Sequence, residues 1–322
     1  MKFQQTQPLA ALLLLAVLFT VQAQEAGSIS TDSVQTNTSF DIQGHRGARG
    51  HYPENSIPAF LYALKVGVTT LELDVAINAE GHAVVSHEPW MSASICSHED
   101  GSVVTEAEAK KLRIYAMTDA QVKSYDCGSR GNPHHSEQTK MPTVKPLLSD
   151  LLGVVAQAET VISEKSELAR PAVLFNVEIK SLPQGDLIFH PKVEEFAQIL
   201  IDTLKQHSVL SRSSIQSFDA RALEAVHAID ASIPTVWLIE NVDGLAKNLA
   251  KLSFLPSVYS PHFSLVDADL IKSAHAQGIR VIPWTVNSED EIHSMLKLGV
   301  DGIISDYPDR GINILAQVRD KK

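Results

Sequence analysis

Short apolar runs alternate with amphipathic segments from Phe40 onward. Runs rich in β-branched residues predict strands, and apolar spacings of three and four residues predict the helices between them. Predicted strands lie at 41–45, 69–76, 83–86, 173–179, 213–217, 235–239, 257–260, 280–286 and 302–305, and predicted helices lie near 55–66, 147–158, 192–206, 219–229, 243–250, 266–277, 289–297 and from 308 onward. Repeated strand–helix units indicate parallel strands with right-handed crossovers. Because the strand count is close to eight, the pattern favours a closed (β/α)8 TIM barrel over an open doubly wound sheet.

Residues 88–142 interrupt this alternation after the third predicted strand. They have weak periodicity, a Gly-Asn-Pro turn at 131–133 and both cysteines of the chain, Cys96 and Cys127. A zinc site would need more Cys or His at short spacing, so we expect a disulfide, worth about 3 kcal/mol for a loop of this size. The sequence therefore predicts one barrel domain over 40–322 with a small insertion at about 88–142.

The first 23 residues have the pattern of a secretory signal peptide. Lys2 precedes a nearly unbroken apolar run at 9–21, and Ala23 offers a small residue at the cleavage position. A membrane anchor is the alternative, but spanning a bilayer takes roughly 20 apolar residues. We expect cleavage before Gln24, a flexible polar lead-in at 24–39, no stable membrane insertion, and a periplasmic or secreted protein in which a disulfide is the default.

The charge balance limits the class of partner. The formal net charge is −11, and it becomes −12 once Lys2 is removed with the signal. A field of this sign repels nucleic acid, whereas a small phosphate diester remains compatible because local cations can dominate a site. No Gly-x-Gly-x-x-Gly follows the first predicted strand, which argues against a dinucleotide fold.

Three carboxylates lie at the ends of two predicted strands. Glu72 and Asp74 are two residues apart, so their side chains share one face of a strand, and Glu178 lies between apolar neighbours. Charged carboxylates on a barrel strand are costly unless they are paired or bound to a cation. A salt bridge to Lys180 is the simpler alternative, but three converging carboxylates indicate a hard-oxygen site for one Ca²⁺ or Mg²⁺.

Two histidines and two positively charged side chains accompany these carboxylates. His45 and His87 both end predicted strands, and histidine titrates close enough to neutral pH to give or take a proton. Arg46 can bind phosphate through its bidentate fork, and Lys180 can bind it as a point charge. Since the strand ends of a barrel converge on one mouth, we expect His45 and His87 to be the catalytic acid–base pair beside the cation.

Further residues have less specific signals. Glu54 is either an outer metal ligand or a complement to a helix dipole, and Asn55 is best explained as a helix N-cap. Trp284 is either an apolar contact for substrate carbon atoms or a core residue, and Phe218 is a weaker example of the same kind. Asp306 precedes the last predicted helix, where a role near its cap is the simplest explanation.

Several motifs, in order along the chain, resemble those of the glycerophosphodiester phosphodiesterases. They are His45-Arg46-Gly47, Pro53-Glu54-Asn55-Ser56, Glu72-Leu73-Asp74-Val75, Val84-Val85-Ser86-His87, Glu178-Ile179-Lys180, Trp284-Thr285-Val286-Asn287 and Asp301-Gly302-Ile303-Ile304-Ser305-Asp306-Tyr307-Pro308. The resemblance implies metal-dependent hydrolysis of glycerophosphodiesters to sn-glycerol 3-phosphate and an alcohol. It also implies the same acid–base pair, metal ligands and phosphate ligands.

The sequence departs from the family pattern in two places, with Glu88 where Asp is common and Ser56 where Thr is usual. Neither change removes a catalytic group. A phospholipase D-like hydrolase of lysophospholipids in the same barrel superfamily is the alternative enzyme, and an apolar acyl-binding groove would favour it. A non-catalytic periplasmic binding protein would lack at least one catalytic group, and none is missing. The choice of metal, the head group and the oligomeric state are not encoded in a readable pattern.

Overall fold

The computed structural model describes residues 40–165 and 171–320, and its architecture is a ring of parallel strands surrounded by helices. Within these ranges the strands are β1 Asp41–Gly44, β2 Thr70–Ile77, β3 Ala83–Val85, β4 Leu174–Ile179, β5 Ser213–Ser217, β6 Thr235–Ile239, β7 Val258–Pro261, β8 Arg280–Val281 and β9 Gly302–Ser305. Eight of them pair in parallel in the order β8-β7-β6-β5-β4-β2-β1-β9. This order confirms the predicted (β/α)8 barrel.

Backbone hydrogen bonds continue the ring from β8 to β9. The Asp301 amide donates to the Val281 carbonyl, and the Ile304 amide donates to the Pro283 carbonyl, each at 2.9 Å. The strand predicted over 280–286 ends in regular form at Val281. Pro283 has no N–H to donate to a ladder, which accounts for the short strand.

Helices surround the barrel strands, and two further short helices lie in the insertion at 88–142. In the described ranges they are α1 Ile57–Val66, α2 Glu106–Ala109, α3 Asp119–Lys123, α4 Leu148–Lys165, α5 Val193–Gln206, α6 Ala220–Ile229, α7 Leu245–Leu249, α8 Ala268–His275, α9 Glu289–Leu298 and α10 Pro308–Asp320. Their apolar faces pack on the strands; Phe196 and Leu200 of α5, for example, are fully buried in the same cluster as Phe175 of β4. None of the helices within these ranges combines the length and the apolar character that crossing a membrane requires.

The third predicted strand is not a barrel strand. β3 pairs antiparallel with β2, with Val85 opposite Val75 and Ala83 opposite Ile77. A turn at 78–82 is far too short for a parallel crossover, which takes a dozen residues or more. The insertion therefore leaves from a hairpin, and β3 runs back towards the mouth of the barrel, where His87 follows it.

The segment between β3 and α4 has its own small core. Met91, Ile95, Ile114 and Val122 are buried together there and contact Val84 of β3. The predicted disulfide between Cys96 and Cys127 is present, and the two cysteines are 31 positions apart in the sequence. The predicted signal peptide and lead-in at 1–39 lie outside the described residues.

Candidate active site

The three carboxylates predicted to bind a cation converge at the mouth of the barrel. Glu72 and Asp74 lie on β2, and Glu178 lies directly opposite Asp74 in the parallel pairing with β4. One oxygen from each lies within 4.8 Å of the others. All three side chains are buried, with at most 5% of each residue exposed.

Burial and neighbouring charges shift the pKa values of all three carboxylates away from their usual values. Burial and the neighbouring Asp74 raise the pKa of Glu72 well above its usual value. Burial also raises the pKa of Glu178 to about 8, against the opposing effect of Lys180. Burial acts in the same direction on Asp74, but His87, Arg46 and Lys180 outweigh it and hold the pKa of Asp74 well below the usual value.

The donor set fits a divalent cation. Asp74 Oδ1 is buried without a hydrogen-bond partner, an arrangement that leaves a charged oxygen desolvated unless a cation meets it. Three carboxylates with no nearby thiolate form the hard-oxygen environment that Ca²⁺ and Mg²⁺ prefer. Glu72, Asp74 and Glu178 would hold such an ion.

A ladder of amide side chains through the barrel interior orients Glu72. Asn176 donates to Gln43 Oε1 at 2.8 Å and to Gln216 Oε1 at 2.9 Å. Gln216 Nε2 in turn donates to Glu72 Oε1 at 2.6 Å. The Arg46 backbone amide donates to the other Glu72 oxygen at 2.8 Å, so both oxygens of this carboxylate are fixed.

Asn55 contacts Asp74 and does not cap α1. Its Nδ2 donates to Asp74 Oδ2 at 2.8 Å, and its Oδ1 accepts from the Asp74 amide at 3.4 Å. The N-cap of α1 is Ser56, whose hydroxyl accepts from the Ala59 amide. The predicted capping role was wrong because Asn55 has a left-handed backbone, φ +53°, whereas an N-cap residue is normally extended.

The loop after β1 approaches α1 closely. A Cβ on Gly47 would lie 2.7 Å from the Ala59 carbonyl carbon, and the residue has φ +86°. Both facts require glycine here. The tight turn sets the Arg46 amide against Glu72 and directs the Arg46 side chain into the mouth.

Two positively charged side chains, those of Arg46 and Lys180, lie beside the carboxylates. Arg46 Nη1 donates to Glu54 Oε1 at 2.8 Å, and Arg46 Nε lies 3.4 Å from Asp74 Oδ2. Lys180 Nζ lies 2.8 Å from Glu178 Oε1 and 3.7 Å from Asp74 Oδ1. Arg46 Nε is buried with no hydrogen-bond partner. Glu54 therefore holds a buried arginine instead of complementing a helix dipole alone.

His45, directly after β1, is held by Asp306, directly after β9. His45 Nδ1 and Arg49 Nε each lie 2.6 Å from Asp306 Oδ1. Asn287 Nδ2 donates to Asp306 Oδ2 at 2.8 Å. Burial and Arg49 lower the pKa of His45 to about 4, against the attraction of Asp306.

Asp306 was predicted to act near the cap of the last helix, and that interpretation was wrong. Burial acts to raise its pKa, but His45 and Arg49 hold it well below the usual value. It is therefore a carboxylate at neutral pH and can only accept. His45 Nδ1 must carry the proton of this hydrogen bond, and Nε2 of the neutral ring is left as an acceptor.

His87 has a carboxylate partner too, which the sequence did not reveal. His87 Nδ1 lies 3.0 Å from Glu88 Oε1. Burial lowers the pKa of His87, although Asp74 opposes this. Burial acts to raise the pKa of Glu88, but the contact with His87 and the charge of Lys145 bring it to about 2. The two histidines thus have the same arrangement, each with Nδ1 on a carboxylate.

A buried lysine lies behind His87. Lys145 is only 5% exposed, and its Nζ donates to Ser86 Oγ at 2.7 Å. Ser86 Oγ donates to the Glu88 carbonyl at 2.6 Å. The segment that carries His87 is therefore tied to the start of the α4 region. A lone lysine in a loop sequence gave no signal of this contact.

Trp284 lies on the rim rather than among the carboxylates. It is partly buried against Val236, Val258, Ile282 and Ile304, and its Nε1 donates to the Ser260 carbonyl at 3.0 Å. The Phe218 ring meets its face edge-on, with the ring centroids 5.4 Å apart. These contacts show that Trp284 packs on the barrel core, and its contact with substrate stays a prediction.

Comparisons with known proteins identify the family of the chain. Residues 45–310 match the sequence model of the glycerophosphoryl diester phosphodiesterase family. A glycerophosphodiester phosphodiesterase from Bacillus altitudinis is 28% identical over 286 residues, which cover 86% of this chain and 99% of that protein. An enzyme of the same name from Caldanaerobacter subterraneus is 28% identical over 276 residues, covering 85% of this chain and 97% of that protein.

Solved structures share the fold. A crystal structure of a protein from Silicibacter pomeroyi superposes with a TM-score of 0.76 at 28% identity and covers 87% of this chain and 94% of that one. A phosphodiesterase from Oleispira antarctica, in complex with the product sn-glycerol-3-phosphate, has a TM-score of 0.66 at 22% identity over 86% of this chain and 96% of that one.

Proposed function

The chain belongs to the glycerophosphoryl diester phosphodiesterase family, and we propose that it uses one divalent cation and two histidines to hydrolyse glycerophosphodiesters to sn-glycerol 3-phosphate and an alcohol. Glycerophosphodiester phosphodiesterase activity follows from the family and from the named relatives. The single observation that carries the catalytic proposal is the convergence of three buried carboxylates at strand ends of a barrel that also carries two histidines, each held by a carboxylate of its own.

Glu72, Asp74 and Glu178 would hold the cation, either Ca²⁺ or Mg²⁺. When bound, such an ion polarises a phosphoryl oxygen and neutralises charge that develops on the phosphate. Gln216, the Arg46 amide and Asn55 keep the carboxylates in place through hydrogen bonds of 2.6 to 2.8 Å. Their orientation therefore does not depend on the substrate.

The histidines move the protons. Asp306 holds Nδ1 of His45, and Glu88 holds Nδ1 of His87, so Nε2 of each ring is available to the substrate. One ring accepts a proton from the hydroxyl group that attacks phosphorus. The other ring delivers a proton to the oxygen of the alcohol that leaves. Both rings have the same pattern of contacts, with Nδ1 on a carboxylate, which suits each of them to either role.

Arg46 and Lys180 would bind the phosphate oxygens. Each already lies near a carboxylate of the trio, at 3.4 Å for Arg46 and 2.8 Å for Lys180. A phosphate in the mouth would give Arg46 Nε the acceptor that it lacks. Trp284, which is only partly buried and contacts Phe218, would pack against the glycerol carbon atoms.

The disulfide supports the expected export of the chain. A bond between Cys96 and Cys127 forms and persists in an oxidising compartment. We therefore propose that the enzyme is periplasmic or secreted.

The test replaces each histidine separately. We expect His45→Ala and His87→Ala each to abolish release of glycerol 3-phosphate from glycerophosphocholine while the far-ultraviolet circular dichroism stays that of the native fold. Removal of an acid–base group costs typically 10²- to 10⁴-fold in rate. Near-full turnover by either variant would refute its role.

A further inference from the structure

The insertion returns to the barrel beside the loop that follows β1. Gln138 Nε2 donates to the Arg49 carbonyl at 2.7 Å and to the Tyr52 carbonyl at 3.1 Å. We call residues 49–52 the arginine loop. One side-chain amide of the insertion therefore joins both ends of a loop that lies at the mouth of the barrel.

Three hydrogen bonds fix the orientation of the Gln138 amide. Besides the two carbonyls that accept from Nε2, the Asn132 amide donates to Oε1 at 2.8 Å. The side chain is buried, with 9% of the residue exposed. A flipped amide would set its oxygen against two carbonyls, and a glutamate would set a negative charge there. Because a buried polar group without a partner is costly, this orientation is the one that satisfies all of the groups involved.

The segment of the insertion around Gln138 is itself closely packed. The Thr139 amide donates to the His51 carbonyl at 2.7 Å, which adds a backbone contact to the arginine loop. A Cβ on Gly128 would collide with the carbonyl oxygen of Met141, so the two sides of this segment approach each other as closely as a glycine allows. The contacts of Gln138 therefore rest on a segment with little room to move.

The arginine loop connects His45 to Asp306. Arg49 Nε lies 2.6 Å from Asp306 Oδ1, and His45 Nδ1 lies at the same distance from the same oxygen. The Gly50 amide donates to the Asp306 carbonyl at 3.0 Å, and the Arg49 amide donates to the His45 carbonyl at 3.3 Å. A displacement of the loop would therefore move Arg49 relative to the oxygen that orients the imidazole ring of His45.

We propose that Gln138 is a positioning residue for catalysis, because it keeps Arg49 on Asp306 and thereby keeps His45 in the orientation that turnover requires. The inference rests on the proposed function. His45 directly follows β1 and Asp306 directly follows β9, whereas Arg49 lies further along a loop. Groups on loops are placed less precisely than groups on strands, and they need supporting contacts from outside the loop. The insertion supplies that support through the Gln138 amide.

Kinetics and calorimetry separate this role from a purely structural one. Gln138→Met keeps the length of the side chain and removes its three hydrogen bonds, whereas Gln138→Asn keeps an amide on a shorter side chain. The control is Gln277→Met, because Gln277 Nε2 also donates to a backbone carbonyl, that of Ser273, at 3.1 Å on the exposed surface. Release of glycerol 3-phosphate from glycerophosphocholine gives kcat and KM. Calorimetry gives the affinity for Ca²⁺ or Mg²⁺, and circular dichroism is recorded for every variant.

We expect Gln138→Met to lower kcat about tenfold, because small displacements of catalytic groups have effects of this size or larger. KM and the cation affinity should stay within about twofold of the native values, since substrate binding and the three carboxylates are not altered. Gln138→Asn should lower kcat in the same direction, and it replaces Gln138→Met in every comparison if the methionine variant does not keep the native spectrum. Gln277→Met should keep the native kcat.

A double-mutant cycle with Arg49→Met decides whether Gln138 acts through the arginine. We expect Arg49→Met to lower kcat without abolishing it, because Asp306 remains on His45. Once Arg49→Met is present, Gln138→Met should cost less than about twofold more, because the two losses are coupled. An equal loss in both backgrounds, a native kcat in the Gln138 variants, or a parallel loss of cation affinity would overturn the inference. No release of glycerol 3-phosphate by the native protein would instead refute the proposed function itself.

Discussion

Replacing Asp306 with asparagine tests how His45 is prepared for catalysis. Asp306 Oδ1 faces two donors, His45 Nδ1 and Arg49 Nε, each at 2.6 Å, and Oδ2 faces Asn287 Nδ2 at 2.8 Å. A carboxamide has one oxygen, and we expect Asp306→Asn to turn it towards the two donors. His45 then keeps its tautomer, and the variant loses the negative charge beside the ring together with the contact to Asn287.

The rate effect follows from that lost charge. A hydrogen bond to a charged group is worth about 1 to 2 kcal/mol more than a neutral one, and the difference matters most when the ring is protonated during turnover. A loss of about 2 kcal/mol lowers kcat roughly 30-fold. Since Asp306 raises the pKa of His45 against the effect of burial, its neutralisation moves any acid limb due to His45 to lower pH.

The assay is the pH dependence of choline release from glycerophosphocholine, and the chain offers a matched control. Asp309 Oδ1 lies 2.8 Å from His51 Nε2, which is a similar histidine–carboxylate pair outside the three-carboxylate cluster. We expect Asp309→Asn to leave kcat within about twofold of the native value, since no step is assigned to that pair. If Asp306→Asn retained nearly native kcat, or if both variants lost the same activity, the proposed role of the His45–Asp306 pair would be refuted.

Three further predictions concern the cation, a buried lysine and the disulfide. Burial raises the pKa of Glu178 to about 8 without a cation, so binding a cation displaces a proton below that pH. The calorimetric affinity for Ca²⁺ or Mg²⁺ should therefore rise as the pH approaches about 8, and a flat profile would contradict this. Lys145→Met releases the segment that holds His87, so we expect kcat to fall about tenfold with little change in KM in steady-state kinetics; a native kcat would contradict the role of the lysine. Replacing Cys96 and Cys127 by serine should lower the free energy of unfolding by about 3 to 4 kcal/mol in denaturant melts, and an unchanged midpoint would rule this out.

The barrel was predictable because its strands and helices have clear periods in the sequence. The strand containing Glu72 and the helix ending at Gly67 were both recognisable from local pattern. The direction of β3 was not, since a short apolar run has the same appearance in a parallel strand and in a hairpin. The length of the turn at 78–82 was the available signal, because no crossover fits into it.

Site residues were predictable where several charged or titratable side chains occur in one short motif. Hydrogen-bond partners that are distant in the sequence were harder to predict. Glu72 and Glu178 lie on neighbouring strands, and barrel geometry brings such positions together. Asp306 is 261 residues from His45, so its contact depends on the closure of the ring between β1 and β9. Lys145 reaches Ser86 across the insertion, and no periodicity encodes a contact of that kind.

The most direct test of the account is release of glycerol 3-phosphate from glycerophosphocholine by the purified protein, compared in chelator, Mg²⁺ and Ca²⁺. We expect no release in chelator and full recovery when one of the two cations is restored, because three buried carboxylates need a cation between them. An unchanged rate after exhaustive removal of metal would contradict the cation site, and no release under any condition would contradict the proposed reaction.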